Sequence, residues 1–237
     1  MSRRRALMAA AAGEDLVLSN LLTLDGILNT RSGHDASAVV WEDISGNQHD
    51  TVKVATAGNM VWQDNHAAYD ATNRGQYISY SFFNSRTTGS IELLVQITGN
   101  GSRELTDFHQ GFVLSNRTGG DDHSEGFYTY SYNTAGISSY VDFTSLGYTS
   151  GANAVYICWT INGTEAKRYV NGSLASTATI TPAHLDKATL RIAYEYVNGY
   201  VGFPHCKIYR IGIDSRAFSA DDVADRYARL QARFGLT

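Results

Sequence analysis

Between residues 21 and 215 apolar and polar side chains alternate with a period of two, and glycine, asparagine and aspartate interrupt the runs. In "GQYISYSFF", Tyr77, Ser79 and Ser81 oppose Ile78, Tyr80 and Phe82. "SIELLVQIT" sets Ile91, Leu93, Val95 and Ile97 on one face. "GFYTYSYN" sets Tyr128, Tyr130 and Tyr132 against Phe127, Thr129 and Ser131. Successive side chains of a strand leave on opposite faces, so this pattern predicts half-buried strands in antiparallel sheets.

The stretch "VYICWTINGTEAKRYVNGSLASTATI" holds two Asn-Gly pairs, Asn162-Gly163 and Asn171-Gly172. Asn-Gly supplies the two positive φ angles of a two-residue hairpin turn. Three consecutive strands are expected, near 154–161, 164–170 and 173–180, with two more in "ATLRIAYEYV" and "HCKIYRIGID". Pro182 and Pro204 flank strands, as the hydrogen-bond ladder requires. The period then changes. "SADDVADRYARLQARFGL" predicts a helix over 219–234, with Ser219 as N-cap, Asp222 three residues on, and Gly235 as C-cap. Val223, Tyr227, Leu230 and Phe234 form its apolar stripe.

The chain has 237 residues, of which 43% are apolar and 18% charged, with 22 glycines and 15 tyrosines. That suits a single large all-β domain. A net charge of -4 speaks against a general nucleic-acid binder, which carries a basic field. No stretch reaches the roughly 18 apolar residues of a membrane helix. Cys158 and Cys206 both lie in apolar, strand-like surroundings, where a free cysteine behaves as a small hydrophobe. At the start, Arg3, Arg4 and Arg5 precede a short alanine-rich run that imitates a signal peptide. We expect residues 1–20 to be an anchoring arm that docks on a neighbour, and residues 21–237 to be one domain that includes the helix.

In "VVWEDISGNQHD", Trp41 stands at the lip of a polar turn. It is expected to plug a core, with Asp43 and Ser45 bonding to turn backbone and Gly46 supplying a permissive φ. "WEDISGNQHD" resembles the entry motif of laminin G-like domains in the concanavalin A-like lectin/glucanase superfamily. "AAYDATNRGQYISYS", "ICWTINGTEAKRYVNG" and "KIYRIGIDSRAFSADDV" resemble that family's later blocks, in the same order, so the likeness covers residues 41–223. It implies a jelly-roll β-sandwich of two antiparallel sheets with a short C-terminal helix. "LTLDGILNTRSGHDASAVVWEDISGN" further resembles the start of jelly-roll proteins of tailed phages and their hosts.

Glucanases of the superfamily carry several acids at alternating positions of one strand, and glycoside hydrolysis needs two carboxylates across the scissile bond. No such run is present. The nearest acid cluster is "GGDDHSEGF", with Asp121, Asp122, His123 and Glu125. It reads as a solvated loop or a ligand rim, and Asp121, Asp122 and Glu125 could hold Ca2+, which takes carboxylate and carbonyl oxygens. Neither a G-x-S-x-G elbow nor a P-loop occurs. Tyr128, Tyr130 and Tyr132 fill the sandwich core, the simpler reading, or stack sugars, since aromatic rings offer apolar faces with polar tips.

Together these readings predict a non-enzymatic protein without a resident cofactor, Ca2+ excepted. The resemblances imply a virion structural component, a fibre, tail or head-surface protein. It would display a lectin-like domain to glycans of the host surface or mucus. Its arm, through Arg3, Arg4 and Arg5, would bind other virion proteins, and copies could associate. Neither nucleic acid nor membrane is an expected partner. The alternatives are a carbohydrate-binding module of a secreted, extracellular bacterial protein, or a divergent glycoside hydrolase.

Overall fold

The structure, a computed structural model, describes residues 17–53, 61–69, 76–83, 86–99, 114–115, 128–130, 140–142, 153–179, 189–193, 195–197, 200–202 and 205–236. Its strands are β1 (Leu22–Asp25), β2 (Val52–Lys53), β3 (Val61–Gln63), β4 (His66–Tyr69), β5 (Gln76–Ile78), β6 (Thr88–Gly99), β7 (Leu114–Ser115) and β8 (Tyr128–Tyr130). There follow β9 (Tyr140–Asp142), β10 (Val155–Asn162), β11 (Glu165–Val170), β12 (Ser173–Thr179), β13 (Leu190–Ile192), β14 (Glu195–Val197), β15 (Tyr200–Gly202) and β16 (His205–Asp214). Helix α1 spans Ala220–Phe234.

The strands form a jelly-roll sandwich. Among the described residues the larger sheet has eight strands, in the order β12-β11-β10-β6-β16-β4-β3 with β1 also on β16. The smaller has six, in the order β2-β5-β13-β7-β8-β9, and β14 and β15 make a separate hairpin. Among the described strands pairing is antiparallel except between β8 and β9, which run parallel.

The predicted hairpins are present, with one shift. Asn171 and Gly172 have φ of 47° and 80°, the paired positive angles that Asn-Gly supplies. In the earlier turn Asn162 pairs with Glu165 inside the ladder, so the turn residues are Gly163 and Thr164. There Gly163, with φ of 61°, takes the positive angle. Helix α1 begins and ends as its sequence predicts. The Ser219 hydroxyl accepts from the Asp222 N–H, the Asp222 carboxylate accepts from the Ser219 N–H, and Gly235 closes the helix in the left-handed region.

Between the sheets lies the main core. Ile91, Leu93 and Val95 of β6 meet Ile78, Leu190 and Ile192 of the smaller sheet. Trp41 and Trp62 join them edge-to-face, 5.2 Å between centroids. A second core lies on the other side of the larger sheet. Leu94, Tyr156, Cys158 and Tyr209 pack there under Val223, Leu230 and Phe234 of α1, with Val17 beside them. The central strands of the larger sheet are therefore buried on both faces, where their alternation predicted one solvated face. Glu92 shows the difference, with only 1% of its surface exposed.

Candidate functional site

Three places concentrate polar chemistry. The first is the lip that carries Trp41. Its ring is fully buried, and Nε1 donates to the Asp25 carbonyl at 3.1 Å. The buried Asp43 carboxylate accepts from the backbone N–H of Thr23, Ser45 and His49, and from the Ser45 hydroxyl. Gly46 turns the chain at φ 97°. Both carboxylate oxygens of Asp43 are thus engaged by the fold, and the stretch is architecture.

The second is an ionic network under α1. Glu92 receives Nε and Nη2 of Arg226 at 2.7 and 2.5 Å, the Tyr156 hydroxyl at 2.6 Å and the Ser19 hydroxyl at 2.7 Å. Arg210 lies 3.7 Å from Glu92 and 3.9 Å from Asp25, and Arg233 reaches Asp25 at 3.0 Å. Burial alone would raise the Glu92 carboxyl, but Arg226 and Arg210 outweigh it and hold the group at about 2. Burial lowers Arg210, against the pull of Glu92. The network ties β6, β16, β1 and the helix together. Glu92, Asp25 and Arg210 are all covered, so the network faces the interior.

The third is the outer face of the smaller sheet. Cross-strand partners in a sheet share a face, and the register here can be followed from edge to edge. Val52 pairs with Tyr77, Tyr77 with Arg191, and Arg191 with Ser115. Ser115 then pairs with Tyr128, and Tyr128 with Tyr140. The interleaved row runs Lys53–Gln76–Ile192–Leu114–Thr129–Val141. Gln76 and Ile192 of that row are buried, as are Ile78 and Leu190, so it is the core row. Tyr77 and Arg191 are half-buried and Val52 is 46% exposed, which marks the other row as the one away from the core.

Tyr130 pairs with Asp142, two residues along from the Tyr128–Tyr140 pair. Beside the β2–β5 edge, His49 stacks on Tyr80 at 3.9 Å between centroids, and burial lowers the His49 imidazole. Tyr80 itself is 42% exposed, which extends the aromatic surface past the edge strand.

In the register Tyr128 stands in the row of Tyr77 and Arg191, and Thr129 in the row of Gln76 and Ile192. Period two gives the alternation of a strand but not which parity faces inward. That choice is set by pairing to β7 and β13, far away in sequence. Tyr132, Asp121, Asp122, His123 and Glu125 lie outside the described residues, as do Arg3, Arg4 and Arg5. Among the described residues no group of His, Cys, Asp and Glu is placed to hold a metal ion. Tyr77 and Arg191 were not singled out from the sequence as binding residues. The signal was there for Tyr77, a ring out of phase with its apolar neighbour Ile78.

Cys158 and Cys206 are free thiols on opposite sides of the larger sheet, one under α1 and one between the sheets. Among the described residues no helix is long and apolar enough to cross a membrane.

No family model and no curated protein matches the chain. Solved structures do match in fold. The binding domain of botulinum neurotoxin serotype D superposes with a TM-score of 0.54 at 17% identity, over 89% of this chain and 51% of that one. The binding domain of botulinum neurotoxin DC, solved in complex with SialylT, gives 0.56 at 14%, over 90% and 51%. The Trypanosoma rangeli sialidase, solved in complex with sialic acid, gives 0.56 at 15%, over 92% and 34%. These are β-sandwich neighbours. The chain spans about half the length of the toxin domains and about a third of the sialidase chain, so the likeness is one of fold.

Proposed function

We propose that the protein is a non-enzymatic carbohydrate-binding module and that the outer face of the smaller sheet is its binding surface. The row Val52–Tyr77–Arg191–Ser115–Tyr128–Tyr140 carries this reading. Aromatic rings spaced along a sheet face offer flat apolar surfaces to the C–H faces of sugars, and hydroxyl and guanidinium groups between them supply hydrogen bonds. Neighbours of the same fold were solved with SialylT and with sialic acid, which agrees with a saccharide ligand. Display on a virion surface through the arm at Arg3, Arg4 and Arg5 is supported by the resemblance of residues 22–47 to phage jelly-roll proteins. A Ca2+ site at Asp121, Asp122 and Glu125 belongs to the same reading.

A glycan array of the whole chain, run with calcium and again with chelator, tests it. Saturable binding to one sugar class, weakened about tenfold by Tyr77→Ala, is the expected result, since an aromatic contact contributes about 0.5–1.5 kcal/mol beyond its buried area. Binding lost with chelator would place Ca2+ in the site. Silence across the array at every density would remove the proposal.

A further inference from the structure

Arg191 differs from the other arginines near the sandwich core. Arg210, Arg226 and Arg233 each face a carboxylate, and Arg31 pairs with Asp50 and Glu42. Arg191 is half-buried in the middle of the outer face, yet no carboxylate pairs with it among the described residues. The whole chain carries a net charge of -4, so acids to neutralise it are not in short supply. A half-buried arginine at mid-sheet holds a charged hydrogen-bonding group in a fixed place on the face, where an anion gains charge-assisted hydrogen bonds. Its planar fork matches a carboxylate, two parallel N–H donors to two oxygens.

Its neighbours define what carries that anion. Tyr77 is directly opposite on one side and Ser115 on the other, with Tyr128 one strand further. Strands lie about 4.8 Å apart, so the row from Tyr77 to Tyr128 spans roughly 14 Å, which exceeds one sugar ring. A ligand seated there would lay a ring near a tyrosine and bring an attached acid to Arg191. Resting on the reading of this face as a saccharide surface, we propose that the ligand is a saccharide bearing a carboxylate and that Arg191 holds that carboxylate.

The test uses matched pairs titrated into the full chain: 3′-sialyllactose against lactose, and trigalacturonic acid against its methyl ester. The acidic member of one pair is expected to bind at least tenfold more tightly than its neutral partner, and the pair that responds identifies the sugar acid as sialic or uronic. Arg191→Gln is expected to erase that margin, a loss of about 10- to 100-fold for the acidic partner against a loss of no more than about threefold for the neutral one, with the melting temperature near wild type. Arg191→Lys should restore only part of it, because an ammonium lacks the fork. Equal binding of acid and neutral partners, or a margin that survives Arg191→Gln, overturns the inference. Should Tyr77→Ala weaken all ligands while Arg191→Gln weakens none, the binding face stands and the carboxylate assignment falls. Absence of binding by all four probes in wild type sinks the inference, and silence across the wider array sinks the face as well.

Discussion

Glu92→Gln is the sharpest probe of how the helix is held. The substitution keeps the side chain's size and removes one negative charge from a buried site. Two buried arginines then lose their common counter-charge, and Arg226 loses the paired bond made at 2.7 and 2.5 Å. Removing one partner from a buried ion pair costs about 3–5 kcal/mol. The acid held at about 2, against an ordinary 4.5, gives a second route to the magnitude. Each tenfold gain in acid strength is worth about 1.4 kcal/mol, so the charged form contributes roughly 3 kcal/mol. For a domain of this size that is a fall of about 6–20 °C in Tm. The sign with pH follows from the depressed carboxyl. The contribution is complete above the unfolded value, near pH 4.5, and disappears as pH falls towards 2. Urea and thermal melts at pH 7 and pH 3 measure both. The variant should lie well below wild type at pH 7 and closer to it at pH 3. A Glu92→Gln protein within about 1 kcal/mol of wild type at pH 7 would refute the view that charge in this network fastens the helix.

Four further outcomes are expected. Trp41→Ala should destabilise the fold by about 3–5 kcal/mol in denaturant melts, since it empties a fully buried site and strands the Asp25 carbonyl. Gly172→Ala should lower Tm, because φ is 80° there and a Cβ would stand 3.0 Å from the Tyr227 ring. Thiol titration of the native protein should find no reactive cysteine and the unfolded protein two, with melting unchanged by reductant, as both thiols are buried and burial pushes both up. His66 is held down at about 4 by burial, with Lys207 adding to the effect, so it opposes folding increasingly as pH falls from 6.5 towards 4. His66→Gln should therefore flatten the stability profile over that window.

Legibility in the sequence followed distance along the chain. Ser219, Asp222 and Gly235 fix the helix within their own neighbourhood, and the structure puts its ends at Ala220 and Phe234. Asn171-Gly172 fixes its turn in the same local way. The Trp41 lip was legible because Asp43 and Ser45 bond within a few residues of themselves. Glu92 was not. Alternation along β6 opposes it to Ile91 and Leu93, and the solvated face that this implies is covered by a helix whose Arg226 is 134 residues away. The outer row failed to appear for the same reason. Tyr77, Arg191 and Tyr128 come from separate segments, and only the register of β5, β13, β7 and β8 brings them into line.

Val17 and Leu236 both pack into the core beneath α1. The tyrosine row lies beyond two sheets from that side. With sheets stacked about 10 Å apart and a helix layer of similar depth, roughly 20 Å separates these two residues from the row. A support gripping the chain at either of them would point every copy's row outward, in one direction. Many such copies on one scaffold would make a brush of parallel weak grips. Linked sites of this kind can exceed single-site affinity by about 10²- to 10⁴-fold without a new contact, so under the proposed reading of this face shallow sugar contacts would suffice for firm adhesion.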